Sequence, residues 1–150
     1  MHRLYGNDDI TIFWDSDRCR HAKKCVTNCP EVFDITRKPW IKPENAATAK
    51  IWQTISLCPT GALSCVYNHD IKVVFEEENF WSAAYDGDVL IGECDYTVND
   101  GKWAIVHTEV VPEHGGKGIA KRLVFTVVEE AEKKGTGIIP VCSYAAKILG

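Results

Sequence analysis

The 150-residue chain is 25% charged and 45% hydrophobic with a formal net charge of −4, a globular composition that excludes disordered and fibrous classes. No apolar run approaches the roughly 18 residues of a membrane span. Residues 1–9 carry no apolar leader, so a cytoplasmic chain with no membrane partner is expected. The acidic balance and the lack of a basic stripe make nucleic acid an unexpected partner.

In chain order, Ile10-Thr11-Ile12-Phe13-Trp14 is a β-branched and aromatic run that predicts a strand. Residues 21–28 predict a short helix between cysteines. Pro43-Glu44-Asn45 opens a predicted helix through about Leu57, with Ala47, Ile51 and Ile55 at four-residue spacing and Trp52 beside them. Residues 62–66 return as a strand, and Tyr67-Asn68-His69-Asp70 is the joint. Glu76-Glu77-Glu78 reads as a solvated strand end. Residues 80–85, 89–97 and 103–111 are three strand candidates, separated by the hairpin signals Asp86-Gly87 and Asn99-Asp100-Gly101. Past Pro112 and the glycine run at 115–118, a helix is predicted to about Lys134. Its stripe is Ile119, Leu123, Val127 and Ala131, and Gly135 is its C-cap. Residues 138–141 predict a strand and 144–149 a terminal helix, with Ser143 as its cap.

Cysteine and charge divide the chain at the joint. Five of the seven cysteines (Cys19, Cys25, Cys29, Cys58 and Cys65) fall in the first 66 residues, and only Cys94 and Cys142 follow. Residues 1–66 hold nine Lys/Arg and seven Asp/Glu, a net of +2; residues 67–150 hold eight and fourteen, a net of −6. Two units are expected, 1–67 and 68–150. A core of fewer than about 70 residues usually needs a metal or another staple. In a chain read as cytoplasmic, a cysteine cluster points to metal before disulfides.

The spacing is Cys19-x5-Cys25-x3-Cys29-Pro30 with a distant Cys58-Pro59. Laid on the bacterial ferredoxin run C-x2-C-x2-C-x3-C-P, Cys19, Cys25 and Cys29 take the first, third and fourth places, and Ala22 takes the second. In the two-cluster arrangement the cysteine before proline serves the other cluster. Cys58 therefore completes the site begun by Cys19 and Cys25, and Cys29 is left over. Zinc is the competing metal, but its usual close C-x2-4-C pairs are absent. Cys29 and Cys65 have an alternative reading as buried thiols or a disulfide pair.

These residues resemble a known family. Cys25-Val26-Thr27-Asn28-Cys29-Pro30-Glu31-Val32-Phe33-Asp34 and Cys58-Pro59-Thr60-Gly61-Ala62-Leu63 are similar to single-cluster bacterial ferredoxins. Trp14-Asp15-Ser16-Asp17-Arg18-Cys19, Lys38-Pro39-Trp40-Ile41 and Pro43-Glu44-Asn45-Ala46 are similar to the divergent 4Fe-4S mono-cluster family. That resemblance, over about residues 5–66, implies a ferredoxin-like α+β fold and an iron–sulfur cluster. With three thiolates, the resemblance favours a [4Fe-4S] cluster with one iron bound otherwise as the expected cofactor, and a [3Fe-4S] cluster is the alternative. His21 and Cys29 are the nearby candidates for a fourth place.

In the second half, His107-Thr108-Glu109-Val110-Val111-Pro112, then Gly115-Gly116-Lys117-Gly118-Ile119-Ala120, then Pro140-Val141-Cys142-Ser143-Tyr144 together resemble the small GNAT-like acetyltransferases. The resemblance spans about residues 70–146 and implies a compact GNAT-like α/β unit with acetyl-CoA as cofactor and an unknown amine as acceptor. Gly115 stands where that family carries Gln or Arg. The sequence also ends sooner after Tyr144 than is usual there, so part of the acceptor site is expected to be missing or supplied by a partner.

The resemblance implies that the amides of Gly116, Lys117, Gly118, Ile119 and Ala120 hold the CoA pyrophosphate, while Val110 and Val111 pair with the pantetheine arm. A glycine loop at a helix N-terminus suits a phosphate by close amide approach and dipole. Amine acylation needs a base and an acid. Glu109 and His107 are the candidate bases, placed on one strand face by alternation; the plain alternative is a surface Glu and a half-buried His. Tyr144 and Cys142 are candidates for the acid. Cys142 is also a candidate acylated nucleophile, or simply a small residue ending a strand. The function expected first is an N-acetyltransferase whose cluster is structural or redox-sensing. The alternatives are a ferredoxin-type electron carrier with a redox partner protein, its second half docking or binding CoA, and a non-catalytic scaffold.

Overall fold

In the computed structural model, which describes residues 2–149, the chain forms an α+β fold of two units, the first ending at Tyr67 and the second beginning at Asn68. The first contains β1 (His2–Gly6), β2 (Ile10–Asp15), α1 (Lys24–Asn28), α2 (Thr48–Ile55) and β3 (Leu63–Tyr67). Its sheet is antiparallel in the order β1-β2-β3. Asn7 shapes the first hairpin, its side-chain oxygen accepting the amides of Asp9 and Ile10, both at 2.9 Å. Ile10 and Ile12 of β2 pack with Phe33, Ile41, Leu63 and the Ile51 and Ile55 stripe of α2.

Three local expectations change. β1 was not anticipated, because residues 2–6 have no clear alternation; pairing along β2 recruits them. The helix expected from residue 43 starts at Thr48, because Pro43–Asn45 form a separate 3-10 turn and Ala46 is extended (φ −147°, ψ 164°). The helix expected over 21–28 begins only at Lys24, because His21 and Lys23 take left-handed backbone angles (φ 55° and 60°).

The second unit comprises β4 (Ile71–Glu76), β5 (Trp81–Asp86), β6 (Val89–Asn99), β7 (Lys102–Val110), α3 (Ile119–Lys133), β8 (Ile138–Pro140) and α4 (Ser143–Leu149). The sheet order is β4-β5-β6-β7-β8, antiparallel except for the parallel β7–β8 pair. One face carries α3, whose Leu123, Val124, Val127 and Val128 meet Ile91, Tyr96, Trp103 and Ile105. Phe75, Trp103 and Tyr96 stack in the same layer, with Tyr96–Trp103 centroids 4.2 Å apart. Ser143 is the first residue of α4 rather than a residue outside it. Glu76 does end a strand, but it is not merely solvated: it accepts Trp81 Nε1 and Tyr85 Oη, both at 2.7 Å. Those hydrogen bonds hold its carboxyl below the usual range.

Three contacts fix α3 and the strands beneath it. Arg122 is buried and donates to the carbonyls of Asn68 (3.3 Å) and Ile71 (2.8 Å), tying the helix to the start of β4. Ser82 donates to the Leu123 carbonyl at 2.7 Å. Gly92 lets β6 pass close under the helix, since a Cβ there would lie 2.9 Å from the Glu109 carbonyl oxygen and 3.3 Å from Leu123 Cδ1.

Candidate functional site

Local hydrogen bonding delivers three cysteines to one cavity of the first unit. Asp15 accepts the amide of Asp17 at 3.0 Å, starting a 3-10 turn that ends with the Cys19 amide on Ser16 O. The left-handed residues that follow curl the loop, and the His21 amide lies 3.4 Å from Cys19 Sγ. Cys25 sits in α1. Cys58 follows α2, its amide on Ile55 O at 3.0 Å. Cys19, Cys25 and Cys58 line the cavity together with Ala22, the residue that stands where the ferredoxin spacing has another thiol. Arg20, Lys23 and Lys24 also line it, and no carboxylate does.

The thiols differ electrostatically. Burial pushes Cys25 up, and the neighbouring Cys58 and Cys19 add to this. Burial also opposes ionisation of Cys58, but the amides of Leu63, Thr60 and Ala62 and the Thr60 hydroxyl outweigh it and hold the thiol below its ordinary value. Amide-solvated thiolates among cations suit an anionic iron–sulfur core. In contrast, no three such ligand atoms of the first unit's described residues lie within 4.8 Å of one another. Thiolates on one zinc at about 2.3 Å would stand roughly 3.8 Å apart. The donor set therefore fits a multi-iron cluster better than zinc.

Cys29 lies elsewhere: it is fully buried in the apolar core, and burial, with Glu31 beside it, pushes its thiol up. Cys65 packs on the same core from β3, and all seven cysteines are free thiols, so Cys29 and Cys65 form no disulfide. Cys94 is wholly buried in the second unit, its thiol pushed up to about 12 by burial. His21 lines a larger cavity with Cys19 and Cys25, whereas Cys29 lines neither that cavity nor the three-cysteine one.

In the second unit, β8 ends at Pro140, and the amides of Val141 and Cys142 both reach Ile105 O (3.0 and 2.8 Å). Residues 106–110 of β7 continue past that point without a β8 partner. The Val111 amide bonds Ile91 O on the β6 side, and strand alternation turns the Val110 backbone to the open side. Beyond β7, Gly116 and Gly118 have φ of 76° and 74°, and Gly118 precedes α3 with no side-chain cap. The early amides of α3, at Ile119 and Ala120, thus lack an intrahelical acceptor. Lys117 Nζ sits 3.2 Å from His114 Nδ1 at the same turn.

The four catalytic candidates fall in two pairs. His107 Nε2 lies 3.2 Å from Glu109 Oε2, with side chains 54% and 66% exposed, so His107 is more open than half-buried. Thr108 points to the opposite face, where its hydroxyl lies 3.6 Å from Cys94 Sγ and 3.7 Å from Cys142 Sγ. Burial opposes ionisation of Cys142, yet the Ala145 amide, the Thr108 hydroxyl and the Tyr144 and Thr108 amides together lower it. Burial raises Tyr144.

Sequence reasoning missed Glu93 and Asp95, which face His107 and Glu109 across the β6–β7 pair (Glu93 opposite Glu109, Asp95 opposite His107). Ligand atoms of Glu93, Asp95 and His107 lie within 4.8 Å of one another. Burial and the neighbouring carboxylates raise Glu93; burial chiefly raises Asp95. No sequence signal marked them: continuous hairpin register from Asn99-Asp100-Gly101 would pair Asp95 with Val106, and the register shift between Asp95 and Tyr96 brings the acids opposite His107 and Glu109 instead.

A family model described as "Divergent 4Fe-4S mono-cluster" matches residues 5–77, and one described as "GCN5-related N-acetyl-transferase" matches residues 80–150. The curated "Uncharacterized protein YjdI" of Escherichia coli strain K12 is 34% identical over 68 residues, which is 45% of this chain and 87% of that protein. Its counterpart in Escherichia coli O157:H7 matches with the same identity and coverage. No helix of the described residues is long and apolar enough to cross a membrane.

Proposed function

We propose, for a chain that belongs to the divergent 4Fe-4S mono-cluster family and carries a GCN5-related N-acetyl-transferase unit behind it, that it moves an acetyl group from acetyl-CoA to a cationic amine. Its iron–sulfur cluster is structural or senses redox state. The observation that carries this reading is the bare segment of β7 beside the glycine turn, with Cys142 and Tyr144 at the split. The Val110 backbone suits pairing with the pantetheine amides, and the amides from Gly116 to Ala120 suit the pyrophosphate.

On the opposite face, Glu93, Asp95 and Glu109 attract an ammonium group, and His107, held by Glu109, takes its proton. The freed nitrogen lone pair attacks the thioester carbonyl carbon, the C–S bond breaks, and the CoA sulfur takes a proton. Tyr144 suits that last role better than Cys142, because burial keeps the phenol protonated while amides favour the Cys142 thiolate. Cys142 is suited instead to receiving the acetyl group first, a branch that mass spectrometry of the quenched enzyme would register as an acetylated peptide.

In the first unit, Cys19, Cys25 and Cys58 would hold the cluster, with His21 favoured over Cys29 for a fourth place. The bound cluster supplies one-electron redox chemistry.

The direct test is CoA thiol release from acetyl-CoA with a panel of primary amines. His107→Ala should lower kcat about 100-fold with acetyl-CoA affinity unchanged. CoA release no faster than without protein would oppose the transferase reading. The ferredoxin-type alternative is favoured by a cavity that flanks Cys19 and Cys25 and is rich in aromatic and basic residues.

A further inference from the structure

That flanking cavity has about 740 Å³ of volume, well within the range of small-molecule sites. Cys19 and Cys25 form part of its wall, and all its lining comes from the first unit. Tyr5, Trp14 and Trp40 supply aromatic surface. Trp14 and Trp40 meet edge to face, centroids 5.0 Å apart at 73°, and Phe33 backs Trp40 at 6.0 Å. The rings are therefore fixed before any ligand arrives, which lowers the ordering cost of binding.

Charge selects among aromatic ligands. Lys23, Arg37 and Lys38 line the cavity, and no Asp or Glu does. Arg37 is held by backbone carbonyls, its Nη2 donating to Val32 O at 2.8 Å and its Nε to Pro39 O at 3.3 Å. Those neutral acceptors orient the guanidinium, whose charge Asp34, outside the cavity lining, also feels. An anionic group therefore meets a preset cation beside aromatic rings, where guanidinium and ring recognition combine.

We propose that the cavity walled by Trp14, Trp40 and Tyr5 and edged by Lys23, Arg37 and Lys38 binds a planar aromatic anion, a ring system carrying a phosphate or carboxylate. Apolar packing would suit any ring, and the three cations restrict the choice to anions. The ligand would lie against Cys19 and Cys25, so the cluster reading is needed only for binding to be felt at the iron. Binding itself does not depend on it.

The test uses the full chain, purified anaerobically with its iron quantified, and flavin mononucleotide as the probe. Equilibrium dialysis and quenching of flavin fluorescence read binding directly. Saturable binding is expected, weakened about tenfold for riboflavin, which keeps the ring and lacks the phosphate. Lys23→Glu with Lys38→Glu should weaken the nucleotide by at least that factor and leave riboflavin unchanged. Both side chains are exposed, and iron quantified on the variant checks that the change at Lys23, which also lines the three-cysteine cavity, has not cost the cluster. Trp40→Leu should weaken both probes, and circular dichroism checks that it folds. No saturable binding at millimolar nucleotide, or equal affinity for both flavins, would overturn the proposal. Anaerobic protein that carries no iron would sink the cluster reading, and saturable binding of the nucleotide to that same protein would leave this site standing. A shift of the visible iron–sulfur spectrum on titration would place the ligand at the cluster.

Discussion

The three cysteines that share a cavity and the one that does not make opposite demands on substitution. Cys58→Ala should abolish stoichiometric iron while leaving an acetyl-CoA-induced rise in Tm intact. Cys29→Ala should keep the iron and cost about 1 kcal/mol for the small void it leaves in the core. Iron assay and chemical denaturation on the same two variants check both. If Cys29→Ala loses iron and Cys58→Ala keeps it, the ligand assignment is wrong.

Glu93 and Asp95 carry raised folded-state pKa values. Their stabilising contribution is therefore greatest when they are protonated, below the unfolded-state range, and is lost as pH rises through the folded values. Without ligand, Glu93→Gln should melt higher than the parent at pH 7, and the difference should close towards pH 4. A cationic amine bound at neutral pH should shrink that difference, since the parent then gains a partner for its charges. Paired melting curves across pH, with and without amine, read both effects.

At the scale of elements, most of the architecture was legible because its signals are local. The α3 stripe and the Asn99-Asp100-Gly101 turn follow from periodicity and turn chemistry. What was illegible depended on neighbours. β1 forms because β2 offers an edge, and Ala46 interrupts the expected helix although no Pro or Gly occupies its place. The site divides in the same way: the cysteine spacing named Cys19, Cys25 and Cys58, and the structure gathers them. The acids of β6 were invisible until register set them opposite His107 and Glu109.

Two glycines, one closely approached and one at positive φ, give predictions for their elements. Gly92→Ala places a Cβ 2.9 Å from a backbone carbonyl that cannot turn aside. It should cost about 1–3 kcal/mol in urea denaturation through displacement of β6 from β7 and from Leu123 of α3. Gly118→Val forces a β-branched residue to φ 74° at the start of α3. The strain should cost roughly 1–2 kcal/mol and remove the acetyl-CoA response while iron content stays unchanged.

At the scale of the molecule, the charge division separates two chemistries on one chain. The first 66 residues are net +2 and supply cations around the thiol cavity; the rest are net −6 and supply the acidic face of the second sheet. An acidic face that draws a cationic amine predicts that kcat/KM falls as ionic strength rises. An uncharged amine should show no such slope, so the pair of salt titrations isolates steering from a general salt effect.

The Tm of anaerobic, iron-quantified protein titrated with acetyl-CoA reads the cluster and the acetyl-CoA site on one sample. Iron bound in cluster stoichiometry and a saturable rise in Tm are expected, since ligand at 100 times Kd stabilises the folded state by about 2.7 kcal/mol. An iron-replete sample whose Tm does not move at millimolar acetyl-CoA would contradict the acetyl-CoA site.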